Sequence, residues 1–321
     1  MRVLVTGGGG FVGQWLAKAL LERDDAVDLA GLGGPSPSGV LSADELSRIR
    51  WLPLDVRDDR AVDDVVEQSR PDAVFHLAAV SFPPEADRAP VVTFDINVLG
   101  TIRLLHAIGQ RRAAGTLDPV VLVIGSAVQY GRHDESDMPL DEGAEQRPIN
   151  TYAASKAAQE VAAVQAHRAT GLRVICTRSF NHSGVGQPPE YLLPSLVARV
   201  MRIARGEQRC LTLGNDAVRD YLHVSDVVRA YLLLVSRGTA GEVYNVASGH
   251  GVSVRQLAAD VLLRANVNAE ISSDPGLARS TDIPVLVGSP DRLVRDTGWA
   301  PLKTHADIID DLLRSAHAAT D

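Results

Sequence analysis

The most constraining feature of this chain is its first twenty residues, where a short β-branched run breaks into glycines and restarts as a helix. Arg2–Thr6 reads Arg-Val-Leu-Val-Thr, and Thr6-Gly-Gly-Gly-Gly-Phe-Val-Gly13 follows at once. From Phe11 to Leu21, Phe11, Trp15, Leu16 and Ala19 then recur on one side of a helix. Strand, glycine turn and helix in that order leave few options. Gly7 permits the tight turn, Gly10 lets backbone approach a ligand, and Gly13 lets helix and strand pack closely. The helix N-terminus that results attracts anions, so the segment predicts a cradle for a dinucleotide pyrophosphate.

The following residues extend the same alternation. Strands are expected near Ala26–Leu32, Trp51–Leu54, Ala73–Leu77, Val120–Ile124 and Arg173–Thr177, with helices over Arg60–Gln68, Pro90–Arg112 and Tyr152–Thr170. Val120-Val-Leu-Val-Ile124 is apolar on both faces, as a buried parallel strand must be. This pattern predicts an α/β fold with a doubly wound parallel sheet. It changes after about residue 178. Asn181–Tyr191, rich in Gly, Pro and Asn, reads as an exposed loop. Helices are expected at Leu192–Arg205, Val254–Arg264 and Thr304–Ala318, with strands at Leu211–Leu213 and Val243–Val246 and a helix at Asp226–Val235 returning to the first lobe. The expected division is a dinucleotide-binding domain over 1–178 plus about 221–246, and a smaller, discontinuous α/β lobe over about 179–220 plus 247–321.

Bulk properties exclude several roles. A net charge of −8 disfavours a general nucleic-acid role, and phosphates of a small ligand would need locally placed arginines. No apolar stretch reaches the roughly 18 residues of a membrane helix, and no leader precedes the first strand. Cys176 and Cys210 lack CxxC spacing and read as reduced thiols of a cytoplasmic protein. No His/Cys/Asp cluster has metal-ligand spacing.

The chemistry comes from Thr151-Tyr-Ala-Ala-Ser-Lys156. Tyr152 and Lys156, at i and i+4, share a helix face. A free phenol titrates near 10, too high for proton transfer at neutral pH, and a neighbouring ammonium stabilises phenolate. Ser126, at the carboxyl end of a central strand, is placed to hydrogen-bond a substrate oxygen. Tyr152 then gives a proton to a carbonyl oxygen while a nicotinamide gives hydride to its carbon. At the end of the second strand, Leu29-Ala-Gly-Leu-Gly-Gly34 lacks the acid that grips an NAD ribose. NADP(H) is therefore favoured, with NAD(H) as the alternative; Ser36 and Ser38 are candidates to face a 2′-phosphate, and Asp55 the adenine edge.

These motifs resemble the extended short-chain dehydrogenase/reductase family, whose members mostly act on nucleotide sugars. The resemblance runs nearly the full length, through Thr6–Gly13, Asp55, His76-Leu-Ala-Ala79, Asn97-Val-Leu-Gly-Thr101, Ser126, Tyr152/Lys156 and Arg219-Asp-Tyr-Leu-His-Val-Ser-Asp226. It implies a Rossmann-type fold with cofactor contacts from Gly7, Gly10, Phe11, Val12, Gly13, Asp55, Val56, Leu77, Ala78, Ala79, Tyr152 and Lys156. Asn97 would support the helix carrying the active face, and Lys156 would hold the nicotinamide ribose. A homodimer through a four-helix interface, built from Pro90–Arg112 and Tyr152–Thr170, is implied as well.

Within the family, Arg178-Ser-Phe-Asn-His-Ser-Gly-Val-Gly-Gln187 and Leu213-Gly-Asn-Asp-Ala-Val-Arg-Asp220 resemble GDP-6-deoxy-mannose reductases and GDP-mannose dehydratases. The tail Asp274-Pro-Gly-Leu-Ala-Arg279, Asp282–Gly288 and Thr297-Gly-Trp299 resembles the reductases; Ser179, where their pattern has Pro, departs from it. Dehydratases resembling this chain carry an acid two positions after the hydroxyl residue. Here that position is Val128, which cannot shuttle a proton, leaving only Asp134, Glu135 and Asp137 in the next loop. By resemblance, Asn181, Arg219 and Arg279 bind the substrate, arginine forks matching its phosphates; Ser126 at its strand end and Arg199, on the helix expected to cover the base, are the other substrate-binding candidates. His182 either contacts the sugar or braces its loop; His223 and Asp226 read as structural. The expected activity is reduction of an NDP-4-keto-6-deoxyhexose at C4, first GDP-4-keto-6-deoxy-D-mannose to GDP-D-rhamnose. A dTDP-sugar 4-ketoreductase, a nucleotide-sugar 4-epimerase and a non-catalytic NADP-binding scaffold are the alternatives.

Overall fold

A computed structural model describes residues 1–34, 39–274, 276 and 283–318. Its larger sheet comprises β1 (Arg2–Thr6), β2 (Ala26–Gly31), β3 (Arg50–Pro53), β4 (Ala73–His76), β5 (Val120–Ser126), β6 (Arg173–Ser179) and β10 (Val243–Val246). The strand order is β3-β2-β1-β4-β5-β6-β10, and every pairing is parallel. The order reverses between β1 and β4. In sheets of this kind, ligands bind beyond the carboxyl ends of the strands at that reversal.

Alternating side chains fill both faces. Val3 and Val5 of β1 join α1 (Phe11–Leu21) and α9 (Val224–Arg237) in one core, with Leu293 of α11 (Asp291–Thr297) and Trp299 completing it. Leu4 points the other way, into a core shared with α3 (Asp59–Ser69), α6 (Gly100–Ala113) and α7 (Thr151–Thr170). A strand buried on both faces shows no polar alternation, which is why Val120–Ile124 reads as continuous apolar sequence.

The smaller lobe has its own core, where α8 (Leu192–Ala204), α10 (Val254–Arg264) and α12 (His305–Ala318) pack over β8 (Cys210–Leu213) and β9 (Val218–His223). β9 pairs with β7 (Asn181–Ser183), β11 (Gly251–Ser253) and β13 (Val285–Leu286), and β8 pairs with β12 (Glu270–Ser273). Short helices α2 (Ala43–Ser47), α4 (Pro83–Arg88) and α5 (Pro90–Phe94) complete the set.

Three expectations need correction. Asn181–Tyr191 is not simply an exposed loop: it begins as β7, and Ser183 is buried. Three-residue strands carry too little alternation to be read from sequence. The helix expected over Pro90–Arg112 is interrupted by a π-turn at Asp95–Leu99, where the Gly100 N–H reaches back to the Asp95 carbonyl. That composite helix, Pro90–Ala113, is also long and apolar enough to cross a membrane by length and composition. It packs against α7 and α3, with Leu104, Leu105 and Ile108 in the core, so its apolar character is accounted for by a place against the sheet.

Candidate active site

The glycine turn sits at the strand-order reversal. Gly7 has φ +70°, and a Cβ there would lie 2.7 Å from the Ala78 nitrogen, so β1 and the segment after β4 meet through a residue without a side chain. At Gly13 a Cβ would lie 2.6 Å from the Gly8 oxygen. Helix α1 starts at Gly10 with no side-chain cap and no acidic residue in its first turn. Its leading N–H groups and the positive end of its dipole thus suit an anion, and the residues present fit a dinucleotide pyrophosphate. On β2, Asp28 is committed to Arg50 at 2.8 and 2.5 Å, so no acid is offered at the strand end. Asp55 follows β3 and forms a forked pair with Arg57 at 2.9 and 2.6 Å. The Arg57 guanidinium holds its carboxyl below the usual carboxylate range. Val56 is buried where α6 packs on it, and a Cβ on Gly100 would come within 2.8 Å of its side chain. Ser36 and Ser38 lie outside the described residues.

The carboxyl end of β5 and the first turn of α7 bring the catalytic candidates together. The Ser126 hydroxyl faces the Tyr152 phenol closely enough to favour its ionised form. Burial pushes that phenol up to about 12, and the Ser126 hydroxyl opposes the shift. Lys156 lies one turn along, its ammonium donating to the Ile124 carbonyl at 2.7 Å and to Gln159 Oε1 at 2.8 Å. Burial brings it down to about 7. The Ser126 backbone is fixed in turn: its N–H donates to Gln129 Oε1 at 2.8 Å, and Gln129 Nε2 donates to Glu160 at 3.0 Å. Glu160 accepts a forked pair from Arg178 at 2.9 and 2.7 Å.

The π-turn places Asn97 beneath this group, fully buried. Its amide binds both backbone groups of Val80, at 2.8 and 3.1 Å, and donates to the Ser155 hydroxyl at 2.9 Å. Ser155 donates to the Tyr152 carbonyl at 2.8 Å. Asn97 thereby ties the loop after β4 to the first turn of α7. π-turns often occur at functional sites, and here the extra residue coincides with the bracing one.

Val128 lies two residues past Ser126 on a 3-10 turn, its N–H directed at the Ser126 hydroxyl at 3.4 Å. Asp134, Glu135 and Asp137 are exposed, and Asp137 closes its own turn on the Asp134 N–H. None of the three supplies the missing acid.

On the other side of the cleft, Asn181 pairs with Tyr221 across β7 and β9, two residues along from Arg219. Arg219 donates to the Val218 and Pro284 carbonyls at 2.9 and 3.4 Å. Arg199, half-buried on α8, bonds the Thr212 carbonyl, which anchors its fork to β8. Arg279 lies outside the described residues. His182 donates from Nδ1 to the Phe180 carbonyl at 2.8 Å and stacks on Phe11 at 6.4 Å. His223 caps α9 and reaches Asp311 at 3.0 Å, while Asp226 gathers the Leu302 and Lys303 N–H groups; both are structural in this fold. One neighbour of the site, Tyr191, has no sequence signal. Tyr191 acts on the Tyr152 phenol electrostatically and meets Ser81 at 3.3 Å and the Phe82 ring edge-on.

Comparison with known proteins agrees with this geometry. Residues 4–312 match the family model for GDP-mannose 4,6 dehydratase. The chain is 37% identical over 302 residues to GDP-6-deoxy-D-mannose reductase of Pseudomonas aeruginosa, covering 94% of this chain and 92% of the relative. The solved structure of RMD from Pseudomonas aeruginosa complexed with NADPH superposes with a TM-score of 0.82 at 33% identity, covering 99% and 100% of the two chains. The Thermus thermophilus UDP-glucose 4-epimerase complex with NAD gives 0.85 at 28% identity, covering 99% and 100%. The chain belongs to the GDP-mannose 4,6 dehydratase family, among the extended short-chain dehydrogenases/reductases.

Proposed function

We propose that this enzyme is an NAD(P)H-dependent oxidoreductase that reduces an NDP-4-keto-6-deoxyhexose at C4, with GDP-4-keto-6-deoxy-D-mannose as first substrate and GDP-D-rhamnose as product. The observation that carries the reading is the grouping of Ser126 at the end of β5 with Tyr152 and the buried Lys156 of α7, with Val128 where a dehydratase needs an acid. Similarity to the Pseudomonas aeruginosa GDP-6-deoxy-D-mannose reductase supports the reaction class, and similarity to the NADPH-complexed structure of RMD from Pseudomonas aeruginosa supports the cofactor. The NAD-bound epimerase neighbour keeps NADH as the alternative.

A reduced dinucleotide with its pyrophosphate held at the glycine turn would supply hydride to C4. Ser126 holds the carbonyl oxygen, and Tyr152 delivers the proton that converts it to hydroxyl. A phenol held near 12 is a competent proton donor but a costly phenolate. The Lys156 charge offsets that cost and, by its remaining N–H, holds the cofactor ribose. Gly7, Gly10, Phe11, Val12 and Gly13 cradle the pyrophosphate, with Asp55, Val56 and Leu77–Ala79 along the nucleoside. Asn181 and Arg219 take the substrate diphosphate, and Arg199 and Arg279 its nucleotide end. In this reading residues 1–178 and about 221–246 carry the cofactor and the remainder carries the sugar nucleotide. Exposed Val91, Val92, Phe94, Leu99, Ile102 and Val161 on the composite helix and α7 support a homodimer through those helices.

The test follows NADPH oxidation with GDP-4-keto-6-deoxy-mannose and dTDP-4-keto-6-deoxy-glucose side by side, repeated with NADH. Turnover on the GDP sugar is expected. Turnover on the dTDP sugar alone keeps the chemistry and moves the nucleotide. With cofactor bound and neither sugar reduced, the reductase reading fails in favour of an epimerase or a binder.

A further inference from the structure

A buried chain of hydrogen bonds runs from the glycine turn to Lys156. Thr6 Oγ1 meets His76 Nδ1 at 2.7 Å, His76 Nε2 meets Thr101 Oγ1 at 2.9 Å, and Gln159 Nε2 donates to the same hydroxyl at 2.8 Å. The Thr101 proton goes to the Asn97 carbonyl at 2.7 Å. A hydroxyl has one proton and two lone pairs, so both of its other partners must donate. This fixes two assignments. His76 carries its proton on Nε2 and accepts from Thr6 on Nδ1, in keeping with burial driving its pKa down to about 3. The Gln159 amide must turn its nitrogen to Thr101 and its oxygen to Lys156. Thr101, His76 and Gln159 are all fully buried, so no water corrects a wrong orientation.

We propose that Gln159 is a positioning residue for the reduction, holding the Lys156 ammonium so that two of its N–H groups are taken by Gln159 and the Ile124 carbonyl and one is left for ligand. The inference rests on the reductase reading above. The Thr101 hydroxyl is the reference that sets the amide, and the amide sets the ammonium. The Gln159 oxygen also stabilises the charged form of a lysine that burial otherwise discharges.

Among the described residues, the ionisable groups on the elements packed about α7 have partners of their own or face solvent. Glu160 and Arg178 form their own pair. Arg103 is held by Asp59 and Asp95, Arg111 by Asp63 and Glu67, and Arg112 by Asp118. Asp87 accepts the Thr151 N–H, and Tyr130 bonds Asn245. Burial keeps Cys176 a thiol, and Glu85, Arg88 and His106 are exposed. His76 and Tyr152 are the remaining neighbours, both neutral at pH 7 from the shifts already given.

The test compares the alkaline limb of kcat/KM in wild type, Gln159→Leu and Gln159→Glu, with NADPH affinity measured on each. The ammonium is the active form, so activity falls as pH rises through its pKa. Leu removes an acceptor and moves the limb down by about one pH unit; Glu supplies an anionic acceptor and moves it up by about as much. Opposed shifts establish the role, because damage to the fold alone lowers both variants alike. Limbs that stay put, or move the same way, overturn it. If wild type reduces no sugar, the reductase reading fails separately, and the same opposed shifts are then required in the pH dependence of NADPH affinity.

Discussion

Replacing Glu160 by Leu tests how the site is held from behind. The carboxylate is 7% exposed and accepts four hydrogen bonds: two from Arg178, one from Gln129 and one from Gln146 at 2.6 Å. Arg178 is 5% exposed. Removing one member of such a pair strands a buried charge and costs about 3–5 kcal/mol. Taking about 4 kcal/mol, and an unfolding entropy of roughly 0.7 kcal/mol per kelvin for a chain of this length, the midpoint falls by about 6 °C. The double variant Glu160→Leu/Arg178→Met removes both charges and should regain more than half of that loss. Catalysis should not follow. Gln129 loses its Glu160 acceptor in both variants and keeps only the longer bond to Gln146 at 3.3 Å, and Gln129 positions the Ser126 N–H, so kcat stays down by about tenfold, of the order of one misplaced catalytic contact. Thermal melts and NADPH turnover on the three proteins separate the two effects. A single variant that melts within about 2 °C of wild type, or a double variant that recovers no stability, would falsify the reasoning.

Tyr152→Phe should lower kcat by about 10²–10⁴-fold while leaving NADPH affinity within a few-fold, checked by steady-state kinetics and cofactor titration. Gly13→Ala, which drives a Cβ against the Gly8 carbonyl, should weaken NADPH binding by about tenfold or more, one contact bond or greater, by the same titration. His76 is neutral in the fold but charges near 6.5 when unfolded, so the unfolded chain binds the extra proton between about 3 and 6.5. Stability should therefore drop as pH falls through that window, and His76→Gln should flatten the slope in acid melts. Val91→Asp with Val161→Asp should shift the sedimentation of the protein from dimer to monomer if the exposed helix faces meet a second copy.

Much of this was legible in the sequence because it rests on local rules. The glycines at 7 and 13 meet backbone that a strand–turn–helix must bring close, and Tyr152 and Lys156 share a face by helical period alone. Ser126 was legible because a parallel strand delivers its last residue to the ligand edge. What escaped depends on tertiary approach. Gln159 looks like one more polar residue on a helix until Thr101, fifty-eight residues earlier, is seen to orient it. Tyr191 follows a proline-rich turn with no spacing to announce it, and Asn97 could be tied to its helix only through resemblance, since nothing local predicts a π-turn. The strand at Asn181–Ser183 hides for a similar reason: it exists through its partner β9 rather than through its own pattern.

The saturated Thr101 hydroxyl also limits how this lineage can drift. Three partners share one oxygen, and each assignment forces the next, so a change at position 6, 76, 101 or 159 alone leaves a donor or acceptor stranded in the interior. Serine at 6 or 101, which keeps the hydroxyl, is the exception; other single steps break the bonding count. Substitutions at these four positions should consequently enter related sequences as sets, and a homologue carrying only one of them would be expected to run close to its folding threshold.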